Sequence, residues 1–148
     1  MIRNFFCLFV FILFTSCYLV PCRFNSDLSI IDTELEIEVL TGTYKVEKRT
    51  IDYIEDYSSG SAEIKILKNG KIIYKNLSPV TIDFFNDTLK ISSGKGSWKL
   101  IKNNGLSVLI GDSYRHWSFY KKKDDLILST DYYGDPDSCL FARFKKVN

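Results

Sequence analysis

From Glu34 to the C-terminus the chain alternates apolar and polar residues in short runs, interrupted at intervals of about 8 to 12 residues by turn-forming clusters. Leu35, Ile37 and Val39 alternate with Glu34, Glu36 and Glu38, which is the period of a half-buried strand. Leu40-Thr41-Gly42 punctuates the pattern, and Tyr44 and Val46 carry it on to about Ile51. Ile64, Ile66 and Leu67 then lead into Lys68-Asn69-Gly70-Lys71, with Ile72, Ile73 and Tyr74 beyond. Asn-Gly between such flanks predicts a hairpin with a two-residue turn, whose central residues both need positive φ. After Pro79, the residues Val80, Ile82 and Phe84 alternate, and Asn86-Asp87 turns into Leu89 and Ile91. Gly94 to Gly96 reads as a break before Trp98 and Leu100, and Asn103-Asn104-Gly105 turns into Leu106, Val108 and Ile110. Gly111-Asp112 turns into the aromatic run Tyr114 to Lys121, and Lys123-Asp124-Asp125 turns into Leu126, Leu128 and Thr130. A polar loop from Asp131 to Ser138 precedes the last run, Cys139 to Lys146.

These signals predict about ten short strands joined by tight turns, an all-β domain. Sequential hairpins favour an antiparallel up-and-down meander over crossovers. Closure of that meander into a barrel or half-barrel removes exposed edges; a two-sheet sandwich is the alternative. Nine Tyr, eleven Phe and two Trp in 148 residues support strands over helices. Losing Arg3 with a cleaved leader leaves 19 basic against 18 acidic side chains. So small a net charge argues against nucleic acid as a partner.

The N-terminus has a different character. Arg3 precedes the unbroken apolar run Phe5 to Phe14, and Thr15, Ser16 and Cys17 follow at once. The run is about half the roughly 20 residues a spanning helix needs, so the pattern is that of an export signal. Phe14-Thr15-Ser16-Cys17 resembles the box that ends the precursor signals of bacterial lipoproteins. In that family the peptide is cut before a cysteine whose thiol takes the lipid. The resemblance implies a signal peptide over 1–16, lipidation of Cys17 and a lipid-anchored tether over 17–33, with the β-barrel domain over 34–148. It also implies more than one acyl chain, enough for stable membrane residence. Tyr18, where an aspartate would retain the protein at the inner membrane, implies the outer membrane facing the periplasm. A plain secretory signal is the other reading; Asn76-Leu77-Ser78 and Asn86-Asp87-Thr88 are glycosylation acceptors in a eukaryotic source.

Of the four cysteines, the lipoprotein resemblance implies that Cys7 leaves with the signal and that Cys17 takes the lipid. Cys22 and Cys139 form a candidate disulfide in an oxidising compartment. Such a bridge contributes about 4 to 5 kcal/mol in the chain-entropy account; two unpaired thiols are the alternative.

Leu40-Thr41-Gly42-Thr43-Tyr44 resembles the opening strand of lipocalin-like proteins, in which a glycine lets the chain bend and an aromatic plugs the closed end. The resemblance assigns those roles to Gly42 and Tyr44. Gly96-Ser97-Trp98-Lys99-Leu100 repeats the pattern, Thr130-Asp131-Tyr132 matches a short turn motif of that family, and Arg143 on the last strand is expected to pack over the opening aromatic.

No catalytic set emerges. His116 is the only histidine and has no evident orienting partner, so it reads as a strand or pocket histidine. Gly111-Asp112-Ser113 resembles an esterase nucleophile block but lacks its α/β context, and a β-turn explains it. Asp131, Asp135 and Asp137 do not fit a calcium-loop spacing, and no metal or cofactor is expected. Lys121-Lys122-Lys123 is ordinary edge-protecting charge.

Alternation puts Tyr114, His116, Ser118 and Tyr120 on one face of a strand and Arg115, Trp117 and Phe119 on the other. If the first face lines the interior, it makes an amphipathic pocket wall; a filled core is the competing reading. The sequence therefore predicts a non-enzymatic envelope lipoprotein, held to the membrane by its lipid anchor. Its barrel would bind a small apolar or amphipathic ligand through Tyr44, Trp98, Tyr114, His116 and Tyr120. The alternative is a module that docks another envelope protein.

Overall fold

The computed structural model describes residues 26–82, 90–102, 104–132 and 141–147. The expected signal peptide over 1–16 and the expected lipidation site Cys17 lie outside the described residues, as do the candidate pair Cys22 and Cys139 and the loop aspartates Asp135 and Asp137.

Eight antiparallel strands close into an up-and-down barrel in sequence order. They are β1 (Gly42–Val46), β2 (Glu63–Ile66), β3 (Lys71–Leu77), β4 (Ser92–Ile101), β5 (Gly105–Ile110), β6 (Ser113–Lys122), β7 (Asp125–Tyr132) and β8 (Phe141–Val147). Closure is made by β1 on β8, with Tyr44 opposite Lys146 and Val46 opposite Phe144. The predicted all-β meander is the observed fold, and the sandwich is not.

Alternation along each strand sorts the side chains. Tyr44 on β1, Ile64 on β2, Ile72 on β3, Val108 on β5, Trp117 on β6 and Phe144 on β8 are fully buried in one core. An eight-stranded barrel is about wide enough for side chains to fill. Here they meet across it: the Tyr44 and Phe119 rings, three strands apart, have centroids 5.9 Å apart.

Local structure departs from the predicted strands where tertiary contacts outweigh periodicity. Glu34 to Val39 is not a strand: Ile37–Leu40 forms one helical turn, α1. Closure of β1 on β8 leaves no edge for it to pair with. The segment instead crosses the Gly42 end of the barrel, burying Ile31 and Leu40 while Ile37 and Val39 stay exposed. β1 stops at Val46, and Lys48–Tyr53 is a short helix, α2, followed by a 3-10 turn at Glu55–Tyr57. Tyr57 plugs the Val46 end, edge-on to Phe144 at 5.8 Å. Pro79–Ile82 is a helical turn, α3, and packs on β7 at that same end.

Gly94 and Gly96 are not a break; both lie inside β4. A Cβ on Gly96 would stand 2.4 Å from the Leu109 carbonyl oxygen, and one on Gly94 2.6 Å from the Tyr74 hydroxyl. These glycines let neighbouring backbone and a core ring approach β4. The β2–β3 hairpin is present, but its turn is not the predicted one. Gly70 has φ +75° while Asn69 has no positive φ, and the Gly70 amide donates to the Leu67 carbonyl. That is a three-residue loop, Lys68 to Gly70, closing on a left-handed glycine, not a two-residue turn. Thr130-Asp131-Tyr132 lies within β7 instead of turning.

Candidate functional site

The five sequence candidates separate. Tyr44 and Trp98 face the lumen near the Gly42 end. Tyr44 donates through its hydroxyl to the Leu40 carbonyl at 2.6 Å, and the Trp98 indole donates to the Leu67 carbonyl at 2.9 Å. Burial pushes the Tyr44 phenol well up, so it stays a neutral donor. Both rings are thus structural anchors of the end that α1 covers. Register sets the other three outside. Trp117 pairs with Leu106 and Phe119 with Leu128, all lumenal, so Tyr114, His116 and Tyr120 face outward. His116 lies over Gly105, where an added Cβ would meet its Nε2 at 2.6 Å. Tyr114 is 72% exposed. The structure therefore brings Tyr44 and Trp98 to one end of the lumen and leaves no shared pocket wall with the outer three.

Arg143 does not pack over the opening aromatic. Lys146 stands opposite Tyr44, and alternation turns Arg143 outward beside Phe144. There it is the hub of an ion network that sequence reading missed. Its guanidinium, fully buried, makes a two-pronged bond to Asp27 at 2.9 and 3.3 Å. Its Nε lies 2.8 Å from Glu47 Oε2, a charge contact without an aligned hydrogen bond. Lys122 bonds Asp27 at 2.9 Å and also bonds Glu47. Arg49 approaches Asp27 at 3.4 Å. Burial works to raise the Asp27 carboxyl; hydrogen bonds and charge from Arg143 and Lys122 outweigh it and hold the group well below its ordinary range. Lys122 is raised, chiefly by its bond to Glu47.

The network fastens what the sequence presents as tether. Ser29 pairs with Lys121 through backbone bonds of 2.8 and 3.0 Å. Asn104, buried in the β4–β5 turn at φ +54°, completes the attachment. Its amide donates to the Ile31 and Thr33 carbonyls and accepts from the Leu35 amide, at 2.9 to 3.1 Å and 2.8 Å respectively. From residue 26 onward the expected tether 17–33 is therefore seated on the barrel. Asn103-Asn104-Gly105 signalled a turn; nothing local signalled that the amide of Asn104 would hold a segment some seventy residues upstream.

Beside Asn104 lies an open groove of about 430 Å³, lined by Ile30, Asp32, Glu34 and Lys102 among others. Among the described residues, no group of three or more His, Cys, Asp or Glu is placed to hold a metal ion. No helix among them is long and apolar enough to cross a membrane.

Compared with known proteins, the chain matches no family model, no curated protein and no solved structure. The reading of its function rests on its own residues.

Proposed function

We propose that the chain is the precursor of an exported, lipid-anchored envelope protein that acts through its outer surface, without catalysis and without a lumenal ligand. The Arg3, Phe5–Phe14 and Thr15-Ser16-Cys17 pattern supports export and lipidation at Cys17. The attachment of Asp27 to the barrel supports a short leash. Eight residues, 18–25, separate Cys17 from the described body, spanning at most about 30 Å when extended.

The observation that carries the choice of surface over lumen is the Tyr44–Phe119 contact across the interior. Rings touching between strands three apart leave little room for the small apolar ligand that the sequence suggested. Radiolabelled palmitate is expected to label the wild-type chain and not Cys17→Ala, which should also move from the detergent phase to buffer. Equal labelling of both would remove the anchor from this reading.

The groove beside Asn104 supports a second reading, a small-molecule site at the Gly42 end. Its volume of about 430 Å³ falls within the usual range for ligand pockets. A bound small molecule whose signals shift with Lys102→Glu would favour it.

A further inference from the structure

Ile73, half-buried at the middle of β3, faces outward. It is surrounded by four lysines. Lys65 on β2 and Lys95 on β4 stand directly opposite it on either side, and Lys71 and Lys75 lie two residues before and after it on its own strand. All four are exposed. Lys45 on β1 and Lys99 on β4 extend the array in both directions. Glu63 is the one acidic residue among the described outward positions of β1 to β5. Among the described residues, none of these lysines makes an ion pair. Around Ile73 the lysines stand diagonal to one another and repel, and only Glu63, directly across from Lys45 and Lys75, offsets them, so the array keeps a net positive charge.

We infer that this flank is a docking surface for an anionic polysaccharide, a sugar chain carrying phosphate or carboxylate groups. The array is a strip about three strand spacings wide, roughly 15 Å, on the convex outside of a closed barrel; that suits an extended polymer better than a compact ligand. It consists of lysines, whose ammonium groups are mobile point charges, not the rigid fork that arginine offers to a single fixed anion. Along β4 to β6 the strip runs on into Ser97, Ser107, Tyr114 and His116. Hydroxyls and exposed ring faces match the hydroxyls and C–H faces of sugars.

The position of the tether argues against the anchoring bilayer as the partner, an argument that rests on the proposed anchor. Asp27 is held by Arg143 of β8 and Lys122 of β6, on the flank centred on β7. β3 is four strands from β7 in a ring of eight, so the lysines face away from the side where the leash leaves.

The test uses the full chain in detergent with heparin as the anionic polysaccharide and neutral dextran as the blank. Lys65→Gln/Lys75→Gln/Lys95→Gln should weaken heparin binding at least about tenfold and lower the log affinity against log salt slope by about two to three. Lys48→Gln/Lys90→Gln/Lys123→Gln removes the same charge off the array and should change affinity less than about twofold. Lys65→Glu/Lys95→Glu, which supplies counter-charges to Lys71 and Lys75, should abolish binding while leaving the melting temperature unchanged or higher. Equal loss in both triple variants, or heparin binding no tighter than dextran, overturns the inference. So does tighter binding to phosphatidylglycerol vesicles or to oligothymidylate, which would assign the face to lipid or to nucleic acid. Palmitate labelling of Cys17 is a separate readout, so loss of the anchor and loss of the docking face remain distinguishable.

Discussion

Asp27 and Arg143 are 116 residues apart in the chain and share a two-pronged ion pair on the outside of the barrel. Around it three cations, Arg143, Lys122 and Arg49, face two carboxylates, Asp27 and Glu47. The imbalance makes the two partners unequal. Asp27→Asn leaves three cations on one carboxylate with a guanidinium that has no access to water; Arg143→Met leaves two of each sign. Asp27→Asn is expected to cost about 3 kcal/mol, the low end for breaking a buried pair because Asp27 is 30% exposed. Arg143→Met should cost less, about 1 to 2 kcal/mol. Urea unfolding midpoints measure both, and the reverse order would contradict the charge count.

The same carboxyl sets the acid limb of stability. Its folded pKa lies below its ordinary value of 3.8, so between the two the unfolded chain binds more protons. Stability from this group is complete above about pH 4 and falls as pH drops towards the folded value. Asp27→Asn should flatten the acid limb between pH 4 and 2 in pH-dependent urea titrations. An unchanged limb would place the titrating group elsewhere.

Burial pushes the Tyr57 phenol from 10.0 up to about 12, against hydrogen bonds from Thr81 and Ser78 that lower it. Here the folded state holds its proton longer. Stability is complete below pH 10 and is lost as pH rises towards 12. Tyr57→Phe should reduce that alkaline slope, with Tyr44, also raised by burial, providing the remainder. Absorbance of phenolate formation alongside circular dichroism tests whether ionisation and unfolding coincide.

Two glycines of different kinds should respond differently to alanine. Gly96→Ala places a Cβ 2.4 Å from a backbone oxygen and 3.0 Å from Ile72, overpacking expected to cost about 3 kcal/mol. Gly111 has φ +58° but nothing within 4 Å of an added Cβ. Gly111→Ala should cost about 1 kcal/mol, the left-handed conformation alone. Thermal melting of the pair gives the comparison, and equal shifts would refute close approach at β4.

Asn104→Gly keeps a residue suited to φ +54° but deletes three bonds to the capping segment. At about 1 kcal/mol net per bond, a loss of about 2 to 3 kcal/mol is expected. The Leu35 amide should lose hydrogen-exchange protection while core amides such as that of Val108 keep theirs. Retained protection at Leu35 would mean that Asn104 is not what holds the segment.

Much of the barrel was legible from period-two alternation. The runs around Tyr44, Ile64, Ile72, Val108 and Phe119 became strands because each places apolar side chains on one face that a closed sheet can bury. The same rule misread Glu34 to Val39, whose alternation is equally regular. A strand also needs a partner edge, and β1 and β8 had already used theirs on each other. It misread Gly94 and Gly96 because a glycine admitted for close approach inside a strand leaves the same mark in sequence as one that ends it. The aromatic face of β6 was identified correctly as a face, but periodicity cannot say which of two faces is the inside.

The sequence by itself determined the strand-rich character, the meander order and the distinct N-terminal stretch, because alternation, turn residues and a charge followed by an apolar run are properties of neighbours. Tertiary structure alone decided that Tyr114, His116 and Tyr120 face outward, that Asp27 meets Arg143, and that four lysines from three strands converge around Ile73. Those outcomes depend on register and closure, which bring together residues far apart in the chain; a net charge near zero carries no record of how its parts are sorted over a surface.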